Sequence, residues 1–469
     1  MRQQQGDERE RPKREWEREN AQLREENERL RRENERLRGE LDKATRAAKR
    51  QAAPFSRGEP KRKPRKPGRK RGSKYGRRFQ RTKPSTVDEV KAAPLPERCD
   101  CGGCLQWERT EEQYQEDIEC RTVIRRFDVA IGRCQACRKR VQGRHREQTS
   151  DALGAAAVQI GPRALGLAAV MTKQMGLSLD NARQMLALGC GLRVNRSTLC
   201  RALLRMSGKA EPTYEDLLSR ARSSRVNSMD ETGWRVGGRS HWAHVAVGEQ
   251  ATVYTIRAGR GYAEAAELVG KGYTGFVVRD GWAPYRKFQQ AFHQTCLAHL
   301  LRRCRELEEQ AGAGGADFPR AVKQVLQQAL KLRDRHSRGE VGEAGLVIAT
   351  GRVEAKLDRL LAWPHAGEEH RKLAQRLEKE REHLFTFLRC PGLAATNHEA
   401  ERALRGLVIA RKVWGGSRTA RGARTQSVLM SVLRTCRQQE QAALPHLIRL
   451  QQMRQPGALD LVGGSPSAK

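Results

Sequence analysis

The order of short strand-like and helical segments after Ser224 constrains the fold of this chain more than any other feature. Three apolar-rich runs, RVNSMD, HWAHVAVG and ATVYTIRA, follow one another and are separated by Gly-containing turns. Such runs predict the strands of an antiparallel meander. A short helical run, YAEAAELVG, and a fourth strand-like run, GFVVRDGW, come next. The sequence therefore predicts the order β-β-β-α-β.

That order is the one found in the ribonuclease H-like fold, in which the first and fourth strands lie side by side. Each of these two strands is expected to end in a carboxylate, Asp230 in MDETGW and Asp280 in VVRDGWAPY. Two carboxylates at neighbouring strand ends create a negative site that suits divalent cations with oxygen ligands. Glu231 alternates to the other face if the strand continues, so we expect it to be structural.

A third acidic ligand is expected from the helix that begins near TNHEAERALRGLVIARKVW, with Asn397 as its N-cap. Glu399 and Glu401 lie about 200° apart on this helix, so only one of them can face the Asp pair. Periodicity does not choose between them. An apolar stripe on this helix is predicted to lie on the sheet, and it consists of Ala400, Ala403, Leu404, Leu407 and Val408.

Basic residues follow on the same helix. They are Arg402, Arg405, Arg411 and Lys412, and they could bind flanking phosphates or form a solvated helix face. The whole chain contains 91 Lys and Arg against 55 Asp and Glu, a net charge of +36. This excess indicates a polyanionic partner, with nucleic acid first and an anionic membrane second. No run approaches the ~20 apolar residues of a membrane-spanning helix, and the start of the chain has no apolar signal core, so we expect a cytoplasmic protein without a membrane partner.

The N-terminal segment 13–42 has a heptad repeat. Trp16, Leu23, Leu30 and Leu37 occupy d positions, and Asn20, Asn27 and Asn34 occupy a positions. Leu at d with Asn at a predicts a parallel dimeric coiled coil, and a solvated single helix is the alternative. Residues 43–90 are rich in Pro, Gly and basic side chains, which predicts a disordered basic linker that binds DNA without sequence preference or serves only as a solubilising tether.

Five of the twelve cysteines fall in two clusters, at 99–104 and 134–137. Cys101, Cys104, Cys134 and Cys137 form two Cys-x-x-Cys pairs, the spacing of a zinc ribbon, and Cys99 could substitute for one of the first pair. A redox pair or packing cysteines are the alternatives. Farther along, Cys296 and His299 have a Cys-x-x-His spacing without two further ligands nearby, so they either pack in the interior or act near the active site or the DNA.

Together these segments predict an α+β multidomain protein with a ribonuclease H-like α/β catalytic core. Residues 151–222 form a helical subdomain that is either a helix-turn-helix, with Asn195 capping its second short helix, or an ordinary packing unit. The predicted order is coiled coil (13–42), linker (43–90), zinc ribbon (91–150), helical subdomain (151–222), catalytic core (223–440) with a helical insertion at 305–390, and C-terminal tail (441–469).

The motifs MDETGW, VVRDGWAPY, CLAHLLRR and NHEAERALR with downstream ARKVW resemble the insertion-sequence-66 family of bacterial DDE transposases. The resemblance includes the zipper-like start, the basic linker and the ribbon cysteines, and so covers nearly the whole chain. It implies catalytic, metal-binding carboxylates at Asp230, Asp280 and Glu401, with Cys296 and His299 as the Cys-x-x-His element. The chain departs from the family where Asn397-His398 replaces Asn-Asn and where CDCGGC replaces a regular cysteine knuckle.

The implied reaction needs two Mg²⁺ or Mn²⁺ ions per site, with structural Zn²⁺ elsewhere. Hydrolysis at the element's ends would free 3′-hydroxyls, which then attack target DNA in line without a covalent enzyme intermediate. The resemblance also suggests accessory proteins encoded by the same element and a nucleoid-associated location. Two other functions stay open: a non-enzymatic DNA-binding regulator, and a ribonuclease H-like nuclease that cuts without joining.

Overall fold

The computed structural model describes residues 21–37, 83–154, 158–310, 315–365 and 367–462. The chain divides into two compact units, 1–116 and 117–469. In the first unit, residues 21–37 form a helix, α1. The remaining parts of the predicted coiled coil, 13–20 and 38–42, and the predicted linker up to residue 82 lie outside the described residues.

The predicted d-position leucines lie along α1 and are half exposed. The exposed fractions of Leu23, Leu30 and Leu37 are 51%, 48% and 51%. A seven-residue spacing keeps these side chains near one side of the helix. An exposed leucine stripe fits a helix that buries it against a partner, and dimerisation stays a prediction.

The second unit begins with a small hairpin and a helical segment. Strands β1 (Ile131–Arg133) and β2 (Arg140–Gln142) pair antiparallel. Three helices follow, α2 (Pro162–Ala169), α3 (Leu179–Cys190) and α4 (Arg196–Ser223), and a π-helical turn at Val170–Gln174 continues α2.

The turn between α3 and α4 was expected, but the length of α4 was not. Gly191 ends α3 with a φ of 69°, the left-handed region that favours glycine. Asn195 occupies the N-cap position of α4 as predicted, although its side chain makes no capping hydrogen bond. The prediction of a short second helix is wrong, because α4 runs for 28 residues with an inner face that stays buried from Leu199 to Ala221.

A five-stranded mixed sheet forms the centre of the second unit. Its strands lie in the order β5-β4-β3-β6-β7. Strand β3 pairs antiparallel with β4, and β4 with β5, whereas β6 joins β3 and β7 joins β6 in parallel. The bounds are β3 Val226–Val236, β4 Arg239–Gly248, β5 Thr252–Arg257, β6 Phe276–Arg279 and β7 Phe292–Thr295.

This topology confirms the predicted meander and the pairing of the first strand with the fourth. Helix α5 (Tyr262–Val269) lies in the crossover between β5 and β6, as expected. Strand β7 was not predicted, because a four-residue run, FHQT, carries too little alternation to be recognised.

Two long helices cover the meander. Helix α11 (His398–Trp414) contacts β3 and β4, and α12 (Ala420–Gln438) contacts β5 and α4. The predicted apolar stripe of α11 packs on the sheet next to Trp234, with four of its five members buried, namely Ala400, Ala403, Leu404 and Leu407. The Tyr254 hydroxyl donates to the carbonyl of Ala403 at 3.0 Å and fastens the helix to the sheet.

The stretch predicted as a helical insertion is helical and has its own apolar core. Within that core, Leu300, Leu326 and Leu357 are fully buried, and the same core reaches Val278 of β6. The helices are α6 (Leu297–Gln310), α7 (Asp317–Ser337), α8 (Glu343–Leu361), α9 (Glu368–Lys379) and α10 (Thr386–Arg389).

The segment expected to be a C-terminal tail is folded as far as the structure describes it. Helix α13 (Ala443–Gln452) contacts α2 and buries Leu447 and Leu450. Leu459 and Leu461 are buried as well. Burial of these leucines holds the segment on the helical layer. No helix among the described residues has the length and apolar character to cross a membrane.

Candidate active site

Asp230 and Asp280 occupy equivalent positions on two paired parallel strands. Ser228 of β3 and Val278 of β6 are the last partners in the pairing of these two strands, and each aspartate lies two positions beyond its partner residue. One detail differs from expectation. Asp230 does not end its strand, because β3 continues to Val236 along β4 and only its pairing with β6 has ended.

The environment of Asp230 is strongly acidic. Burial, together with the smaller effects of the charges of Glu231, Asp280 and Glu401, raises the pKa of Asp230 to about 7, although the Glu231 backbone N–H acts to lower it. That N–H donates to Asp230 Oδ1 at 2.8 Å. Asp280 and Glu401 are therefore near enough to Asp230 to affect its pKa, whereas Glu399 on the same helix is exposed to solvent.

The start of α11 is bonded directly to the strand that carries Asp230. Asn397 at its N-cap is fully buried, and its Nδ2 donates to the carbonyl of Met229 at 2.8 Å. The Asn397 backbone N–H donates to Cys296 Sγ at 3.2 Å. His299 Nε2 lies 3.5 Å from Glu401 Oε1. Cys296 thus supports the N-terminus of α11, and His299 contacts the candidate glutamate.

The turn after Asp280 is held on both sides. The Trp282 backbone N–H donates to Asp280 Oδ1 at 2.8 Å, and Arg279 Nη1 donates to the Asp280 carbonyl at 2.9 Å. The Trp282 indole N–H donates to the carbonyl of Arg260 at 3.1 Å. These bonds limit the rotamers of Asp280 and connect its turn to the loop after β5.

Glu231 belongs to a buried cluster on the other side of β3, which fits the structural role expected for it. Its carboxylate pairs with Arg260 at 2.7 Å and accepts a short hydrogen bond from the Tyr285 hydroxyl. The Arg260 guanidinium stacks between Trp242 and Trp282, at 4.4 and 3.9 Å from the ring centroids. No sequence pattern indicated this cluster, because its members come from four separate segments.

A buried ion network lies beside the Asp280 turn and also escaped prediction. The exposed fractions of the Arg279 and Glu380 side chains are 0% and 1%, and Arg279 Nη1 lies 2.7 Å from Glu380 Oε2. Glu380 also pairs with Arg286 at 2.7 Å and accepts a hydrogen bond from the Thr295 hydroxyl at 2.7 Å. The network joins the residue after α9 to the ends of β6 and β7.

A comparison with protein families supplies the identification. The model of the family described as Transposase IS66 family matches residues 157–425, which is more than half of the chain. The chain belongs to this family. A comparison with curated proteins gave no match. The IS66 family is of the DDE type, so the match supports transposase activity and DNA binding and implies the use of divalent metal ions.

The carboxylates of this IS66-family transposase fit a divalent cation in their chemistry. All three are oxygen donors, and the raised pKa of Asp230 reflects first its burial and then the neighbouring negative charges, which a cation would neutralise. The fit concerns donor chemistry only, because within the described residues no group of three or more His, Cys, Asp or Glu side chains is arranged so that it could hold a metal ion.

The cysteines predicted to bind zinc lie in two tight turns. Cys134 and Cys137 are at the tip of the β1–β2 hairpin, where backbone N–H groups lower the pKa of the Cys134 thiol. Cys101 lies in a turn closed by a hydrogen bond from the Gly102 N–H to the Cys99 carbonyl at 2.7 Å. A hydrogen bond from the Gly103 backbone lowers the pKa of the Cys101 thiol. Cys104 is exposed, and its backbone pairs with that of Arg98 in an isolated antiparallel β-bridge. The lowered pKa values favour thiolates, the form that binds zinc.

The basic residues after Glu401 differ in their surroundings. Arg402, Arg405 and Lys412 are exposed, whereas Arg411 is half-buried and donates a short hydrogen bond to the carbonyl of Gly233 in β3. Three of the four predicted phosphate-binding side chains are therefore free of the sheet, and one is engaged with it.

Proposed function

We propose that this transposase cuts DNA at the ends of its element and joins the freed 3′ ends to target DNA, with Asp230, Asp280 and Glu401 as the catalytic carboxylates. The juxtaposition of these side chains carries the proposal. Asp230 and Asp280 are equivalent in the parallel register, and Glu401 is near enough to raise the pKa of Asp230.

The proposed catalytic core is ribonuclease H-like and spans 223–440. Its support is the sheet order β5-β4-β3-β6-β7, with three antiparallel strands followed by two parallel ones. Helix α11 adds its acidic first turn beside the Asp pair, and α6 to α10 form the insertion. This arrangement would bring three acids that are far apart in sequence near one another in the fold.

We assign the binding of two Mg²⁺ or Mn²⁺ ions to Asp230, Asp280 and Glu401. Such ions, when bound, would activate the attacking oxygen and stabilise the leaving oxygen of the phosphodiester. The protein's own groups hold the ligands in place. Trp282 and Glu231 donate backbone N–H bonds to Asp280 and Asp230, and Asn397 fixes the start of the Glu401 helix.

His299 is proposed to orient Glu401, since its Nε2 lies 3.5 Å from the carboxylate. Cys296 is proposed to act through packing under Asn397, not as a ligand. The exposed cations Arg402, Arg405 and Lys412, with Arg411, are proposed to contact phosphates along α11. Each such contact would add salt-sensitive affinity without reading sequence.

The N-terminal elements are proposed to assist binding and assembly. Segment 13–42 would dimerise through its leucines, segment 43–90 would contact phosphates, and segment 151–222 would include the DNA-binding helices α3 and α4. One Zn²⁺ is assigned to Cys134 and Cys137 with two of Cys99, Cys101 and Cys104. We place the protein in the bacterial cytoplasm at the nucleoid, with accessory proteins from the same element as further partners.

The test compares two glutamates on one helix. Glu401→Ala should lose magnesium-dependent cleavage and joining by orders of magnitude, because a carboxylate is removed from the metal site. Glu399→Ala is the matched control, since this side chain is exposed and on the same first turn. Both variants should still bind element-end DNA, because affinity rests mainly on basic side chains.

The outcomes separate the competing functions. If Glu399→Ala is inactive and Glu401→Ala cleaves normally, the assignment of the third acid is wrong. If both variants cleave normally, the assignment of a DDE active site is wrong. A wild-type protein that cleaves but never joins ends is a nuclease, and one that binds ends without cleavage in magnesium or manganese is a regulator.

A further inference from the structure

A cavity of about 440 Å³ lies between the Asp280 turn and helix α9 of the insertion. Its charged lining residues are Asp280, Arg286, Lys372, Arg376, Lys379 and Glu380. Four of these six are basic. A positive cavity therefore adjoins one of the proposed catalytic carboxylates, and helix α9 supplies three of its cations.

The ion network around Glu380 fixes this cavity relative to Asp280. Glu380 directly follows α9 and is buried against Arg279, which precedes Asp280 in the chain. Arg279 also donates to the Asp280 carbonyl at 2.9 Å. Because these groups are buried and mutually bonded, the cations of α9 are held at a set distance from the Asp280 turn.

Gly281 lets one of those cations approach closely. A Cβ at this position would come within 2.6 Å of Arg376 Nη2. Arg376 therefore lies directly against the residue that follows Asp280. Any larger residue at 281 would displace the guanidinium, so the glycine and the arginine form one local arrangement.

Two of the four cations are already neutralised within the protein. Arg286 pairs with Glu380 at 2.7 Å, and Lys372 pairs with Glu368 at 2.7 Å and Glu369 at 2.9 Å. In the part of the chain that the structure describes, Arg376 and Lys379 have no such acidic partner within ion-pair distance. Their charges are available to an anion in the cavity.

We propose that Arg376 and Lys379 bind a backbone phosphodiester of the DNA strand that passes Asp280. A guanidinium presents paired N–H donors that match two phosphate oxygens, and an ammonium adds a compact positive charge. The insertion is then part of the substrate-binding surface, and it positions the strand for in-line attack. This inference rests on the proposed function, because it concerns DNA at the same site.

Neutralising variants test the cavity. Arg376→Gln and Lys379→Gln, singly and together, are compared with Arg371→Gln and Arg352→Gln, singly and together. Arg371 is exposed on α9, and Arg352 is exposed on α8, and neither lines the cavity. The probe is a duplex that ends in the inverted repeat flanking the gene, measured for affinity at several salt concentrations and for magnesium-dependent cleavage at saturating DNA.

The double variant Arg376→Gln with Lys379→Gln should lower the slope of log affinity against log salt by about 1, because one phosphate is no longer neutralised. Cleavage at saturating DNA should fall on the order of 100-fold, because the strand is misplaced. The control pair should match the wild type in both. Arg376→Lys, which keeps the charge, should keep the salt slope and so separates lost contact from misfolding.

Neutral methylphosphonates placed one at a time along the strand identify the bound phosphate. At one position the substitution should weaken wild-type binding and leave the double variant Arg376→Gln with Lys379→Gln unaffected, a pattern that a freely diffusing anion in the cavity would not produce. The proposal is overturned if wild type and variant lose the same affinity at every position. It is also overturned if the double variant Arg376→Gln with Lys379→Gln has the same salt slope and cleavage rate as the control double variant. If the wild type binds DNA without cleaving it, only the proposed function is refuted. The salt slopes then still test whether Arg376 and Lys379 bind a phosphate.

Discussion

Replacing Glu380 by Gln should destabilise the second unit far more than an ordinary surface change. The substitution keeps the size of the side chain and removes its charge. Arg279, whose side chain is 0% exposed, then has no negative charge from Glu380 beside it. Arg279 Nη2 already lacks a hydrogen-bond partner among the described residues, so losing the Glu380 charge leaves this buried cation with even less compensation. Removing one member of such a buried pair costs about 3–5 kcal/mol.

Urea denaturation monitored by intrinsic fluorescence measures this loss in the free energy of unfolding. Glu340→Gln is the control, because Glu340 also pairs with two arginines but is exposed, and we expect almost no change in its midpoint. The double variant Arg279→Met with Glu380→Leu should lose less than Glu380→Gln alone, because an apolar pair has no charge to desolvate. A loss below about 1 kcal/mol for Glu380→Gln would refute the reasoning.

The effect should also depend on pH. Burial alone would raise the pKa of Glu380, but the charge of Arg279 and the bonds from Thr295, Arg279 and Arg286 outweigh burial, and the pKa is lowered from 4.5. A lowered folded-state pKa contributes stability above the unfolded value. The difference between wild type and Glu380→Gln should therefore be full at neutral pH and shrink as pH falls below about 4.5.

Three further predictions follow from other parts of the chain. Asp230→Asn should stabilise the metal-free protein above pH 7 by up to about 4 kcal/mol, because the folded state prefers the protonated form of Asp230. This gain in unfolding free energy should vanish below about pH 4. An equal gain at both pH values would contradict the raised pKa of Asp230. Whole-chain sedimentation should detect a dimer that Leu30→Glu converts to monomer, and a monomeric wild type at high micromolar concentration would disprove the coiled coil. Protein purified without chelator should contain one zinc per chain and Cys134→Ser much less, whereas under half an equivalent in wild type would count against the site.

Local patterns predicted much of the second half of the chain. Alternation and turn residues indicated the meander, and helical spacing placed Ala400, Ala403 and Leu404 on the buried face of α11, where the structure has them. The adjacency of Asp230 and Asp280 followed from strand order, because the carboxyl ends of paired parallel strands meet at one edge. Such features depend on neighbours in sequence and on simple topology.

Long-range packing decided the rest. The sequence by itself determined that the start of α11 offers two glutamates on different sides, but only its docking through Asn397 turned Glu401 toward Asp230 and left Glu399 in solvent. The pairing of Arg279 with Glu380, and the approach of Arg376 to Gly281, join residues about a hundred positions apart. Periodicity reports which face of an element is apolar, and it contains no information on which distant element will cover that face, so these contacts exist only once the insertion has folded against the sheet.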